Sequence, residues 1–146
     1  MFRSIIGMII GYVALSLFFF ATFAGLYRVL GVERIFQPDS YEVAPLWWVL
    51  SAAISLVGSM LAGYVCAAIS RSKRTCQLFA GIILVVLILF CIPQMRDRTP
   101  HPRAGEISYM DAIQRTQMPI WMHLLNPVLG GLGVLLGAGM KKLAEG

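Results

Sequence analysis

The chain has 146 residues, 58% hydrophobic and 13% charged, with a mean hydropathy of +0.76. A soluble domain carries about 25% charged residues, so a water-solvated globule is excluded and a chain in contact with the lipid bilayer is expected. The net charge of +5 comes without a basic stripe interleaved with aromatics, so nucleic acid is not an expected partner and the excess fits membrane topology instead.

Taken in order, the first apolar run spans about residues 5–27. Arg3 before it gives a signal-peptide look. The run is too long for a cleaved leader, however, and Ala21-Thr22-Phe23-Ala24 is not a clean processing site, so an uncleaved first span is expected. Gly7 and Gly11 fall four apart, as do Ala21 and Gly25. On a helix that spacing makes a thin face along which another helix can approach closely. Phe18, Phe19, Phe20 and Phe23 are expected to meet lipid or a neighbour. The loop that follows holds Glu33, Arg34, Asp39 and Glu42, with Gln37-Pro38-Asp39-Ser40 reading as a turn. Its apolar pair Ile35-Phe36 is expected to dip back toward the membrane.

The second run covers about 46–69 and opens with Trp47 and Trp48, the pattern of an aromatic belt at headgroup level. Ser51, Ser55, Ser59, Gly63 and Ala67 recur every fourth residue, which predicts a groove of small side chains down one helix face. Lipid supplies no hydrophobic drive between helices, so such close approach is the usual means of packing them. A basic turn follows, with Arg71, Lys73 and Arg74.

The third run, about 77–93, is an unbroken series of large aliphatics from Ile82 to Leu89. With no thin face of its own, this helix is expected at the periphery, facing lipid. A second outer loop follows from Gln94. Within it Ile107, Met110 and Ile113 have helical spacing, predicting a short amphipathic helix on the membrane surface over about 106–117. The last run, about 119–140, starts with Pro119 and Trp121, contains Pro127, and is glycine-rich, with Gly133 and Gly137 four apart.

The expected fold is therefore an all-α membrane protein: one domain of four transmembrane helices plus the amphipathic helix. The second helix is expected at the centre, packed against the first and fourth. Four spans place both termini on one side. That side holds Arg3, Arg71, Lys73, Arg74, Lys141 and Lys142, and the other holds six arginines matched by six acids. The density of positive charge beside the spans points to cytoplasmic termini.

Little in the sequence points to chemistry. No Asp, Glu, Lys or Arg falls in the centre of a span, and pumps and ion-coupled carriers need such a residue to link binding to movement. The motifs of serine hydrolases, zinc proteases and phosphate loops are missing. Cys66, Cys76 and Cys91 lack paired spacing and read as small apolar filler. The one speculative site is His123 with Asn126 on the outer face. Met95, Met110, Met118, Met122 and His101 are conceivable soft copper ligands, but no compact ligand spacing occurs, so no metal or cofactor is expected.

The stretches Gly7-Met8-Ile9-Ile10-Gly11-Tyr12, Gly58-Ser59-Met60-Leu61-Ala62-Gly63-Tyr64-Val65-Cys66-Ala67-Ala68 with its basic turn, and Leu125-Asn126-Pro127-Val128-Leu129-Gly130-Gly131 resemble small bacterial four-span membrane proteins that have no assigned reaction. The resemblance implies a multi-pass protein of the bacterial inner membrane and carries over no catalytic residue. Abundant packing signal without intramembrane charge leads to one expectation: a non-catalytic accessory or scaffold subunit, associating with other membrane subunits or with itself. A small oligomeric channel or exporter is the alternative. An enzyme or metal site near His123 comes third.

Overall fold

The computed structural model describes residues 2–38, 41–96 and 116–144. Helix α1 is Phe2–Leu30, α2 the single turn Val32–Ile35, α3 Pro45–Ser70, α4 Lys73–Arg96 and α5 Ile120–Ala144. The four long helices are each long and apolar enough to cross a membrane, with mean hydropathies between 1.5 and 2.7. The protein is thus an all-α, four-span membrane protein. The amphipathic helix expected over 106–117 lies outside the described residues except for Thr116 and Gln117, which are not helical.

The helix ends follow from local chemistry. Gly31 closes α1 in the left-handed conformation, φ 68°, where a residue without Cβ meets no penalty, and its N–H reaches the Tyr27 carbonyl at 3.2 Å. Pro45 opens α3 at a position whose N–H has no helical partner in any case. Ser72 caps α4 by accepting the Thr75 N–H at 3.4 Å. Pro93 does not end α4, which continues to Arg96. The apolar part, Lys73–Pro93, has 21 residues, about 31 Å at the α-helical rise. It spans a hydrocarbon core of about 30 Å unaided.

Helix α3 is the centre of the bundle, with α1 on one side and α5 on the other, and α4 leans on α5. Chain order makes α3 and α5 parallel neighbours. Two different thin faces of α3 serve its two partners. Toward α5, a Cβ on Gly63 would strike the Val134 backbone, 2.7 Å from its Cα, and one on Gly137 would strike the backbone of Met60. Toward α1, a Cβ on Gly7 would lie 3.1 Å from the Cys66 carbonyl and one on Gly11 3.0 Å from that of Ala62. This second face, Gly58-Ala62-Cys66-Ser70, has the same four-residue spacing, offset by one position. Higher up, Gly58 leaves room for the rings of Phe18 and Phe19, 2.8 and 3.0 Å from its Cβ position.

The third span departs from expectation. Its outer side, with Leu78, Ile82, Val85 and Leu89, is exposed, but Cys76, Phe79, Ala80 and Ile83 are buried in the same core cluster as Leu15, Ala62, Cys66 and Val134. The one glycine of α4, Gly81, is exposed, and a helix whose buried side is made of large side chains packs closely when its partner supplies the glycines. Leu87 sits 2.8 Å from the Cβ position of Gly130, and Leu84 3.4 Å from that of Gly131, so α5 provides the holes and α4 the knobs.

On the loop side the chain folds over the bundle as a cap. Phe36 pairs with Val43 and Glu42 with Gln117 as isolated bridges, tied by Gln37 N–H to Glu42 O and Ala44 N–H to Ile35 O, each 2.8 Å. Ile35, Phe36 and Val43 are buried against Trp47. Trp47 is accordingly no lipid-facing belt residue: it is 3% exposed, with the Phe23 and Tyr27 rings 5.5 and 5.4 Å away. Trp121, 50% exposed, keeps the belt position, with the Trp48 ring edge-on at 5.5 Å.

A branched side chain at the α3–α5 contact forces the two backbones apart. Gly137→Val should therefore cost roughly 2–4 kcal/mol, the upper range for overpacking a core. Gly25→Ala, where nothing lies within 4 Å, should hold or add up to about 1 kcal/mol through helix propensity. Thermal unfolding of the two variants in the same detergent compares them directly.

Candidate functional site

The residues singled out on the sequence fall at three levels. The packing positions occupy the middle. Ser59, Gly63, Gly133 and Gly137 meet at the α3–α5 seam, where the Ser59 Cβ lies 2.6 Å from the Cβ position of Gly133. Gly7 and Gly11 meet α3 on its other side. Ser51 is buried and donates to the Trp48 carbonyl of its own helix at 3.1 Å. Ser55 and Ala67 are half-buried.

His123 and Asn126 lie in the first turns of α5, beneath the loop-side cap. His123 is 5% exposed, and its neighbour Met122 is buried too. The Asn126 Oδ1 is buried with no hydrogen-bond partner among the described residues, as are the indole N–H groups of Trp47 and Trp48. Pro127 contributes no N–H to the α5 ladder at this level. Polar groups therefore collect at this end of the α3–α5 pair, enclosed by protein rather than open to the outer face. No three His, Cys, Asp or Glu side chains gather as a metal site among the described residues.

A roomy concave feature with polar walls lies at the opposite end. A cavity of about 650 Å³ lies between the α3–α4 turn and the last turns of α5. Arg71, Lys73 and Lys141 bring three cations to it. Ser72, Cys76 and Gln77 add polar groups, while Ala67, Leu135, Ala138 and Gly139 form an apolar wall. The backbone is shaped around it. Arg71 takes the left-handed conformation, φ 51°, a position that favours glycine, and its N–H caps α3 through the Ala67 carbonyl at 3.0 Å. Lys141 donates to the Ala68 carbonyl at 3.4 Å, a cation at the negative end of α3. A Cβ on Gly139 would meet nothing within 4 Å, so this wall stays open.

Cys66 and Cys76 lie within hydrogen-bonding reach of each other behind the cavity. Both are free thiols and both are buried. The helical hairpin joins them across the basic turn.

Reading along the chain did not bring this cavity together. The basic turn and the final lysines were visible as markers of sidedness. Their convergence depends on α5 running parallel to α3, which ends both helices side by side. The chain matches no known protein family, and comparison with curated proteins and with solved structures finds no match.

Replacing Asn126 by an apolar side chain of similar size removes the burial cost of its unpartnered Oδ1. Asn126→Leu is thus expected to leave stability within about 1 kcal/mol of the parent or above it. A larger loss on thermal unfolding would mean that the carbonyl has a partner.

Proposed function

We propose that this membrane protein is a non-catalytic accessory or scaffold subunit, docking on other membrane subunits or on a second copy through α1. The observation that carries the reading is how unevenly the bundle covers its own helices. Of the α1 span only 17% is buried, against 44% of the α5 span. Helix α1 packs along α3 and barely touches the rest. Its opposite side offers Tyr12, Leu17 and Phe20 together with the small residues Ser16, Ala21 and Gly25, all exposed. Large and small side chains alternating along one helix suit close packing by another helix in lipid.

The resemblance to small bacterial four-span proteins and the cluster of cations beside the chain ends favour a bacterial inner membrane, with both termini in the cytoplasm. A water-filled path along the serine face of α3 is disfavoured, because Ser51 and Ser59 are 2% and 1% exposed and turned into protein. A reaction centred on His123 is disfavoured by its enclosure.

Site-specific photo-cross-linking tests the proposal. A benzophenone side chain at Phe20 should capture another polypeptide in native membranes, whereas one at Leu89 on α4 should capture lipid. Equal or absent protein adducts at Phe20 would remove the reading. For the channel alternative, Ser51→Cys and Ser59→Cys in a background without the native cysteines should resist a membrane-impermeant maleimide until the protein is unfolded. Rapid labelling of the folded protein would favour a pore.

A further inference from the structure

We propose that Cys66 and Cys76 form a reversible redox pair, a dithiol that a peroxide converts to a disulfide joining the end of α3 to the start of α4. The inference uses the four-span fold alone and is independent of the accessory-subunit reading.

The first observation is register. Helix α3 ends at Ser70 and α4 begins at Lys73, with Arg71 and Ser72 as the turn between them. Cys66 stands four residues before the end of α3, and Cys76 three residues after the start of α4. At about 1.5 Å per residue both lie roughly 5 Å from the turn, so an antiparallel hairpin sets them level. Their sulfurs come within hydrogen-bonding reach of each other. Both residues belong to the core cluster that holds Ala62, Phe79 and Ala80, and both are free thiols. Rotation about the two Cα–Cβ bonds brings sulfurs in such contact to bonding distance. Cys91 stands about 22 Å further along α4, out of reach of either.

The second observation is unequal access. Cys76 lines the cavity beside the α3–α4 turn and Cys66 does not. Cys66 is fully enclosed, whereas Cys76 keeps 3% of its surface open. Redox-active cysteines pair a thiol that the oxidant reaches with a second thiol that resolves it. So small an opening admits hydrogen peroxide and excludes a bulky disulfide such as oxidised glutathione. Two sulfurs do not complete a zinc set, and no third His, Cys, Asp or Glu joins them among the described residues.

The third observation is where the bond would act. Helices α3 and α4 each pack far more on α5 than on each other, so the cysteine pair lies in one of the few places where they touch directly. Helix α1 crosses the same place. A Cβ on its Gly7 would lie 3.1 Å from the Cys66 carbonyl, and one on Gly11 3.1 Å from the Phe79 ring. A disulfide here fixes the part of the hairpin on which the start of α1 rests.

The chemistry balances with one peroxide. The Cys76 sulfur, as its thiolate, attacks one peroxide oxygen and the O–O bond breaks. Cys76 becomes a sulfenic acid, and the departing hydroxide takes the thiol proton and leaves as water. The Cys66 sulfur then attacks the sulfenic sulfur. The S–S bond forms, the S–O bond breaks, and the hydroxyl leaves with the Cys66 proton as a second water. The two thiols give up two electrons and the peroxide accepts them. A dithiol reductant reverses the change by thiol–disulfide exchange.

The test treats the purified full chain, in neutral detergent, with hydrogen peroxide and follows it by intact mass and tryptic peptide mapping. The chain should lose about 2 Da, the mass of two hydrogens, and regain it with a phosphine reductant. Trypsin cuts at the basic turn between the two cysteines, so a linked pair of peptides identifies the Cys66–Cys76 bond. Cys91 should remain open to alkylation. Cys66→Ala should leave Cys76 as a sulfenic acid that dimedone traps, and Cys76→Ala should leave Cys66 a thiol. The linked peptides come from the parent chain, so the result does not rest on how either variant folds. Both thiols still alkylatable after Cys91 has been oxidised would overturn the proposal. So would a disulfide between two chains, a link to Cys91, or dimedone trapped on Cys66 of folded Cys76→Ala.

Discussion

The bundle depends on backbone meeting backbone between α3 and α5. In lipid, two apolar helices gain nothing by hiding from solvent, so dispersion and weak Cα–H contacts have to hold them together. Those forces fall off steeply with distance and act fully only where side chains are missing. Gly63 against Val134 and Gly137 against Met60 meet that condition. Because the two helices lie parallel, the contact also fixes which ends of the chain come together.

Two consequences follow at the two membrane faces. At the loop side, the starts of α3 and α5 are held together, and the short connection before α3 folds down on them. Its buried residues Ile35, Phe36 and Val43 cover Trp47. At the other side, the ends of the same two helices stand together, with the start of α4 between them. Charges far apart in sequence, Arg71 and Lys141, thereby reach one cavity. One face is closed by apolar packing and the other left open and cationic.

Much of the fold was legible from spacing alone. A four-residue period of small side chains has one geometric meaning on a helix, so a close approach on α3 could be expected from the sequence; the contact with α5 falls at Ser59 and Gly63, and α3 lies at the centre. The third span was harder to read. A run of large aliphatics states that a helix is apolar but not which side meets lipid. Phe79 packs on Gly11 of α1 and Ile83 on Gly130 of α5, positions far from both in sequence. Trp47 raised the same difficulty, since an indole at a span edge suits lipid headgroups or a protein cap equally well until the preceding loop is placed.

By itself the sequence determined the class of the protein, its four spans and the helix at its centre. Hydropathy and periodicity are local properties, set by the next few residues and the bilayer. Only the tertiary structure decided which faces of α4 and Trp47 are buried, that His123 is enclosed, and that Cys66 meets Cys76. It alone made the basic turn and the final lysine two walls of one cavity. These are relations between elements, and they depend on how close two backbones come, a distance that no single segment specifies.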